Sequence, residues 1–219
     1  MDELQLLRQA LSTDLGEPAE WGSPVEFRDS LALCALNSVY SLRANSSSGQ
    51  GVLARYRAFR PGADTDSGPD LVEAMDSEGG PEAFADVVLK NHSVLPGTTR
   101  LRTVGIHEAL TRLAAPEVGV TTAAELREAA EIEGVKLAWL SVRGLGPLSW
   151  SFFLMNAGVD DQVKPDVMVQ RYINRALGPT SAVSTDKARQ LIVDAAADLH
   201  VTPRALDRAI WLHESPTSK

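Results

Sequence analysis

One carboxylate in this chain has neighbours that leave it a choice of chemistry. Asp166 follows Pro165 and heads a helical run, with Lys164 two residues before it. A carboxylate there caps exposed backbone amides, and the same location fits a catalytic carboxylate. Twenty residues upstream ends the turn Val142-Arg143-Gly144-Leu145-Gly146, set between two apolar helical patterns. Its glycines carry no Cβ, so the backbone can turn sharply and approach something closely, either a ligand or a neighbouring helix. Followed by a helix, such a turn presents amides with partial positive charge that hold a phosphate without many lysines. Arg143 and Lys164 would add full charges. A close helix–helix turn carrying a solvated arginine fits these residues equally well.

The elements that must position them read as helices throughout. Leu4, Leu7, Ala10 and Leu11 recur at helical spacing, giving a short first helix that ends before Gly16. Residues 25–44 are apolar on most sides and predict a central helix. The polar run from Asn45 to Gly49 interrupts it, and the helical pattern resumes with Val52, Leu53, Tyr56 and Phe59. Residues 61–80 hold six glycines or prolines and several aspartates, which predicts a mobile acidic loop with a short helix near 71–75. Further helices are expected over 81–92 and 99–113, from Thr122, whose spacing to Glu125 is that of a capping box, and over 135–140. After the hairpin come helices over 147–157 and 166–177, the latter stopped by Gly178-Pro179. Two more follow, from Ser184 or Thr185 to about 199 and from Thr202-Pro203 to about 211. No segment alternates like a strand, so the expected fold is all-α with about ten helices.

Composition sets limits on function. The chain has 219 residues, 44% of them apolar, enough for a sizeable core. The single cysteine, Cys34, excludes an internal disulfide, a zinc cysteine cluster and iron–sulfur ligation, and is most simply a small buried hydrophobe. His92, His107, His200 and His213 show no ligand spacing, so no metal and no cofactor are expected. No apolar run reaches 18 residues and the first residues lack a secretory pattern, so a cytoplasmic protein without membrane partners is expected. The net charge of -8 argues against indiscriminate polyanion binding. The whole excess lies in residues 1–99, with 7 Lys and Arg against 15 Asp and Glu, while residues 100–180 hold 9 of each.

Residues 139–178 resemble the helix-hairpin-helix DNA glycosylase superfamily, which contains endonuclease III-like, adenine-mismatch and alkyl-base enzymes. Its hallmark is a Leu-Pro-Gly-Val-Gly-like hairpin followed, about twenty residues on, by an aspartate heading a helix that reads Asp-x-His-x-x-Arg. Here the hairpin is Val142-Arg143-Gly144-Leu145-Gly146, the aspartate is Asp166, and Arg171 falls five residues later. ALNSVYSLRANSS, residues 35–47, looks like the family's early Leu-Ser-x-Gln-x-Thr helix end.

The departures decide what the resemblance implies. Bifunctional members place a lysine two residues after the second hairpin glycine, where it forms a Schiff base; Leu148 stands there, which excludes lyase chemistry through that position. Met168 replaces the usual histidine, and Arg43 falls where the early motif has glutamine. What remains resembles a monofunctional glycosylase acting on a damaged, alkylated or otherwise labile base flipped from double-stranded DNA. In that reading Asp166 stabilises the positive charge developing on the sugar and orients or activates the water. Arg143, Gly144, Leu145, Gly146 and Lys164 contact DNA; Tyr40, Arg43, Trp139, Leu148 and Trp150 are candidates for the base pocket or for the space left by the flipped nucleotide. The resemblance also implies two lobes, residues 1–99 with 181–219, and residues 100–180 carrying the hairpin. A monomer without an iron–sulfur cluster is expected, nucleoid-associated if it binds DNA. The alternatives are a DNA-binding protein of this fold without catalysis, and a fold whose hairpin packs on a protein partner.

Overall fold

The computed structural model describes residues 2–22, 24–43, 46–178 and 182–215. Among these the chain forms twelve α-helices and one 3-10 turn, with no strand beyond a single bridge between Val94 and Leu101. The fold is all-α as expected, with twelve helices against about ten. No described helix is long and apolar enough to cross a membrane.

Two compact units divide the chain, Met1–Val25 with Asp160–Lys219, and Glu26–Val159. These boundaries lie elsewhere than the expected ones at 99/100 and 180/181. The physical reason is the core of the Glu26–Val159 unit, in which Leu33, Leu36 and Tyr56 share one cluster with Ile106, Leu110, Trp139 and Phe153. A division at residue 99 would cut through that cluster.

In the Glu26–Val159 unit the helices are α2 (Leu31–Tyr40), α3 (Ser46–Phe59), α4 (Gly68–Ser77), α5 (Pro81–Val87), α6 (Arg102–Ala114), α7 (Ala123–Glu128), α8 (Glu133–Leu140) and α9 (Pro147–Ala157). Helix α2 is buried on nearly every side, as its sequence predicts. Each fully buried leucine of this kind contributes ~2 kcal/mol. The helix begins at Leu31, not at residue 25, because Ser30 takes the N-cap: its Oγ accepts from the Leu33 amide at 3.1 Å and donates to the Ala63 carbonyl at 2.7 Å. The expected interruption from Asn45 to Gly49 is corrected: Asn45 lies outside the described residues, and α3 already begins at Ser46.

The acidic stretch 61–80 is corrected by the structure. It holds the full helix α4, started by a capping box in which Ser67 Oγ accepts from the Asp70 amide at 3.2 Å and Asp70 Oδ2 accepts from the Ser67 amide at 2.8 Å. Asp66 is only 6% exposed and accepts from Tyr56 Oη at 2.5 Å and from two Arg60 nitrogens at 3.0 Å each. Paired in this way, the acidic residues anchor the segment.

The other unit holds α1 (Glu3–Asp14), α10 (Val167–Leu177), α11 (Thr185–Asp198) and α12 (Pro203–Glu214). Leu7 and Leu11, Val169, Tyr172 and Ile173, Leu191 and Ile192, and Leu206 and Ile210 form its core. Within each helix these residues lie three or four apart or side by side, on one helical stripe, as amphipathic helices require. Gly178 follows α10, and the expected stop at Pro179 lies outside the described residues.

Candidate nucleic-acid interface and carboxylate site

The two hairpin glycines do different work. Gly144 has φ +100°, a conformation L side chains rarely adopt, and a Cβ there would lie 2.7 Å from Leu95 Cβ and 3.2 Å from Thr98 Cγ2. Its close approach is therefore to the 94–99 loop of the same unit. Gly146 is extended, and a Cβ there would meet nothing within 4 Å, so its backbone faces open space at the head of α9. The amides of Gly144 and Leu148 donate to no carbonyl among the described residues. Leu145, one of the expected DNA contacts, is 5% exposed and belongs to the core.

Beside the hairpin is a groove of about 520 Å³ lined by Arg43, Arg100, Arg102, Arg143 and the loop 94–99, with no Asp or Glu in its lining. Arg43 lies just past the end of α2 with φ +48° and, like Arg143, is exposed; neither makes an ion pair among the described residues. Arg102 is 5% exposed. Its guanidinium donates to the Val39 carbonyl and, at 2.7 Å, to the Leu42 carbonyl, capping the negative end of α2. Burial pushes this guanidinium below its ordinary range, and its Nε has no partner among the described residues. Of these four, Arg100 alone is paired with a carboxylate among the described residues, that of Glu108. Among the described residues, three guanidinium charges without carboxylate partners thus line one groove, a locally basic surface in a chain of net charge -8.

The candidate aromatics are core residues. Trp139 is fully buried and stacks on Phe153, with centroids 4.1 Å apart and planes 13° apart. Its Nε1 donates to Ser149 Oγ at 3.0 Å. Trp150 is 5% exposed and tilted against both rings. Tyr40 is 1% exposed, lies under the Arg102 guanidinium at 5.8 Å, and has its phenol pushed well above its usual range by burial. None of the three offers a face to an incoming base as it stands. Leu148 is half-buried in the first turn of α9.

In the other unit, Asp166 is the N-cap of α10. Its Oδ1 accepts from the Met168 amide at 2.9 Å and the Val169 amide at 3.2 Å, while Oδ2 makes no hydrogen bond among the described residues. The cap and the free oxygen coexist, so capping does not exhaust this carboxylate. Burial alternates along the approach: Val163 and Pro165 are buried, Lys164 and Asp166 half-buried. The Asp166 amide donates to the Lys164 carbonyl at 2.6 Å, closing a three-residue turn around Pro165. Arg171 is exposed, with its Nη1 3.7 Å from the sulfur of Met168.

A second carboxylate, missed from the sequence, faces this turn. Asp207 on α12 is 5% exposed and accepts the Lys164 amide at 3.1 Å. Burial, then the Asp166 charge, pushes its carboxyl up to about 8, against the pull of the Lys164 amide, the Lys164 ammonium and Arg189. Burial also lowers the Lys164 amine, opposed by Asp166 and Asp207. The signal was a charged residue beside Leu206 and one turn before Ile210, on the buried stripe of α12. Arg102 left no such signal, because its partners Val39 and Leu42 lie some sixty residues away. Among the described residues no group of three His, Cys, Asp or Glu side chains is placed to hold a metal ion.

Comparison with solved structures places the fold. A trapped endonuclease III–DNA covalent intermediate superposes with a TM-score of 0.60 at 12% identity, covering 97% of this chain and 86% of that one. The 8-oxoguanine DNA glycosylase of Methanocaldococcus jannaschii superposes with a TM-score of 0.50 at 18% identity, covering 95% and 84%. These likenesses establish a shared fold, the helix-hairpin-helix fold of DNA glycosylases. No curated protein matches the sequence. A family model described as "Domain of unknown function (DUF8548)" matches residues 5–215, and the chain belongs to that family.

Proposed function

We propose that the protein is a monofunctional DNA glycosylase-like repair protein that hydrolyses the N-glycosidic bond of a damaged, alkylated or otherwise labile base in duplex DNA. The observation that carries this reading is the groove beside the hairpin, where Arg43, Arg102 and Arg143 have no carboxylate partner among the described residues. On a fold shared with DNA glycosylases, such a groove is suited to backbone phosphates. The open space in front of Gly146, whose own amide is held by Ser149 Oγ, is suited to one more phosphate oxygen reaching the Leu148 amide, which donates to no carbonyl among the described residues.

Asp166 supplies the chemistry in this reading. As the glycosidic bond breaks, its electron pair leaves with the base and positive charge develops on the sugar. The free Oδ2 of Asp166 is the oxygen available to stabilise that charge. Water adds to C1′ and gives up one proton, which replaces the sugar on a neutral departing base, or passes to solvent when the base was a cationic alkylated purine that leaves neutral. Leu148 offers no amine at the hairpin, so the product of this pathway is an abasic site with an intact strand. The protein then works as a monomer, without cofactor, on cytoplasmic or nucleoid DNA.

A second reading has its own observation. Tyr40, Trp139 and Trp150 are all buried, which leaves the groove without an exposed aromatic to stack on a flipped base and favours a DNA-binding protein of this fold without catalysis. The deciding experiment incubates the protein with duplexes carrying alkylated, deaminated or oxidised bases and measures free base by mass spectrometry. Release from any of them supports the glycosylase; duplex binding without release supports the second reading.

A further inference from the structure

Asp207 is a buried carboxyl that the proposed chemistry does not use, yet it faces the residue that does. It lies on α12 at 5% exposure, and its Oδ1 holds the amide of Lys164 at 3.1 Å. Lys164 begins the turn closed by the Asp166 amide, and Asp166 ends it with Oδ1 committed to α10. One hydrogen bond from α12 therefore fixes the start of the turn and two from α10 fix its end. Between them they set the direction of the one free carboxylate oxygen.

We propose that Asp207 is a positioning residue of the site: by holding the Lys164 amide it fixes the Lys164-Pro165-Asp166 turn and thereby aims Oδ2 of Asp166. The inference rests on the reading of Asp166 as the catalytic carboxylate. The groups facing Asp207 are Asp166 and Lys164 from the turn, Arg189 from α11, and Arg208 next to it on α12. Burial and the Asp166 charge keep the Asp207 carboxyl protonated up to about pH 8. Above it a second buried anion repels Asp166, which loosens the turn. A neutral acid is thus the form that keeps the geometry.

The test compares Asp207→Asn and Asp207→Ala in the full chain. Asparagine keeps an acceptor for the Lys164 amide and cannot ionise, so its single-turnover base release at pH 7 stays within about twofold of the parent. Its alkaline loss of activity near pH 8 disappears. Alanine removes the acceptor and lowers the rate about tenfold or more at unchanged duplex affinity, as a misaimed group does. A parent-like alkaline limb in Asp207→Asn, or a parent-like rate in folded Asp207→Ala, overturns the proposal. If the parent releases no base, the glycosylase reading fails by itself, and carboxyl ¹³C NMR still decides the coupling. The Asp207 midpoint falls in Asp166→Asn if the two groups share the turn, and an unmoved midpoint overturns the proposal.

Discussion

The indole Nε1 of Trp139 donates to Ser149 Oγ at 3.0 Å, and the same oxygen accepts the Gly146 amide at 3.1 Å and donates to the Gly146 carbonyl at 2.7 Å. All three hydrogen-bonding capacities of one hydroxyl are used, tying the end of α8 to the second hairpin glycine. Ser149→Ala leaves a fully buried indole N–H unpaired, so we expect a loss of ~1–3 kcal/mol in urea unfolding. A change below ~0.5 kcal/mol would show that this hydroxyl does not hold the hairpin.

The hairpin glycines should respond to alanine in opposite ways. Gly144→Ala meets both a positive φ and a Cβ 2.7 Å away on Leu95, a contact that no rotamer change relieves. Its expected cost is ~2 kcal/mol or more. Gly146→Ala has an extended backbone and open space, so stability stays within ~0.5 kcal/mol while duplex affinity falls. Thermal melts and duplex titrations of the two variants check both halves.

The arginines of the groove separate by what they hold. Arg43→Gln and Arg143→Gln each reduce the dependence of duplex affinity on salt by roughly one counterion, with little change in stability. Arg102→Met also removes the bonds to the Val39 and Leu42 carbonyls, so it destabilises the unit by ~1–3 kcal/mol as well. Affinity measured across a salt series, beside urea unfolding, distinguishes the two classes.

Asp207 makes stability depend on pH in a direction opposite to that of a salt-bridged aspartate. Its carboxyl is raised from 3.8 in the unfolded chain to about 8 in the folded one. Below pH 3.8 both states hold the proton and the group costs nothing. Between the two values only the unfolded chain releases it, so folding loses a little over ~1 kcal/mol per pH unit until about pH 8. Asp207→Asn removes the titration, and its melting temperature should exceed the parent's increasingly from pH 5 to pH 8. An equal difference at all pH values would refute the buried, protonated state.

Local chemistry in the sequence was legible wherever neighbours in the chain decide the structure. The Thr122–Glu125 capping box starts α7, and the approach to Asp166 is an N-cap as its proline and helical run imply. Ser67 and Asp70 carried the same kind of signal inside an acidic, glycine-rich stretch, where composition hid it. Contacts distant in sequence were not legible. The ring of Tyr40 and the indoles of Trp139 and Trp150 have the same sequence appearance whether they face a base or a core, and the stack on Phe153 settles it for Trp139. Gly144 likewise has the same sequence appearance whether it approaches a ligand or a neighbouring loop, and its approach is to Leu95.

Asp166 is the residue on which the proposed chemistry turns, and single-turnover base release is the measurement that isolates it. Parent protein and Asp166→Asn are each held in excess over a duplex carrying a labile alkylated purine, and free base is counted over time. Asparagine retains a capping oxygen for the Met168 and Val169 amides, so folding and duplex binding persist while release falls by about a hundredfold or more. Release at the parent rate by the folded, DNA-bound variant would contradict the assignment of Asp166 and the mechanism built on it.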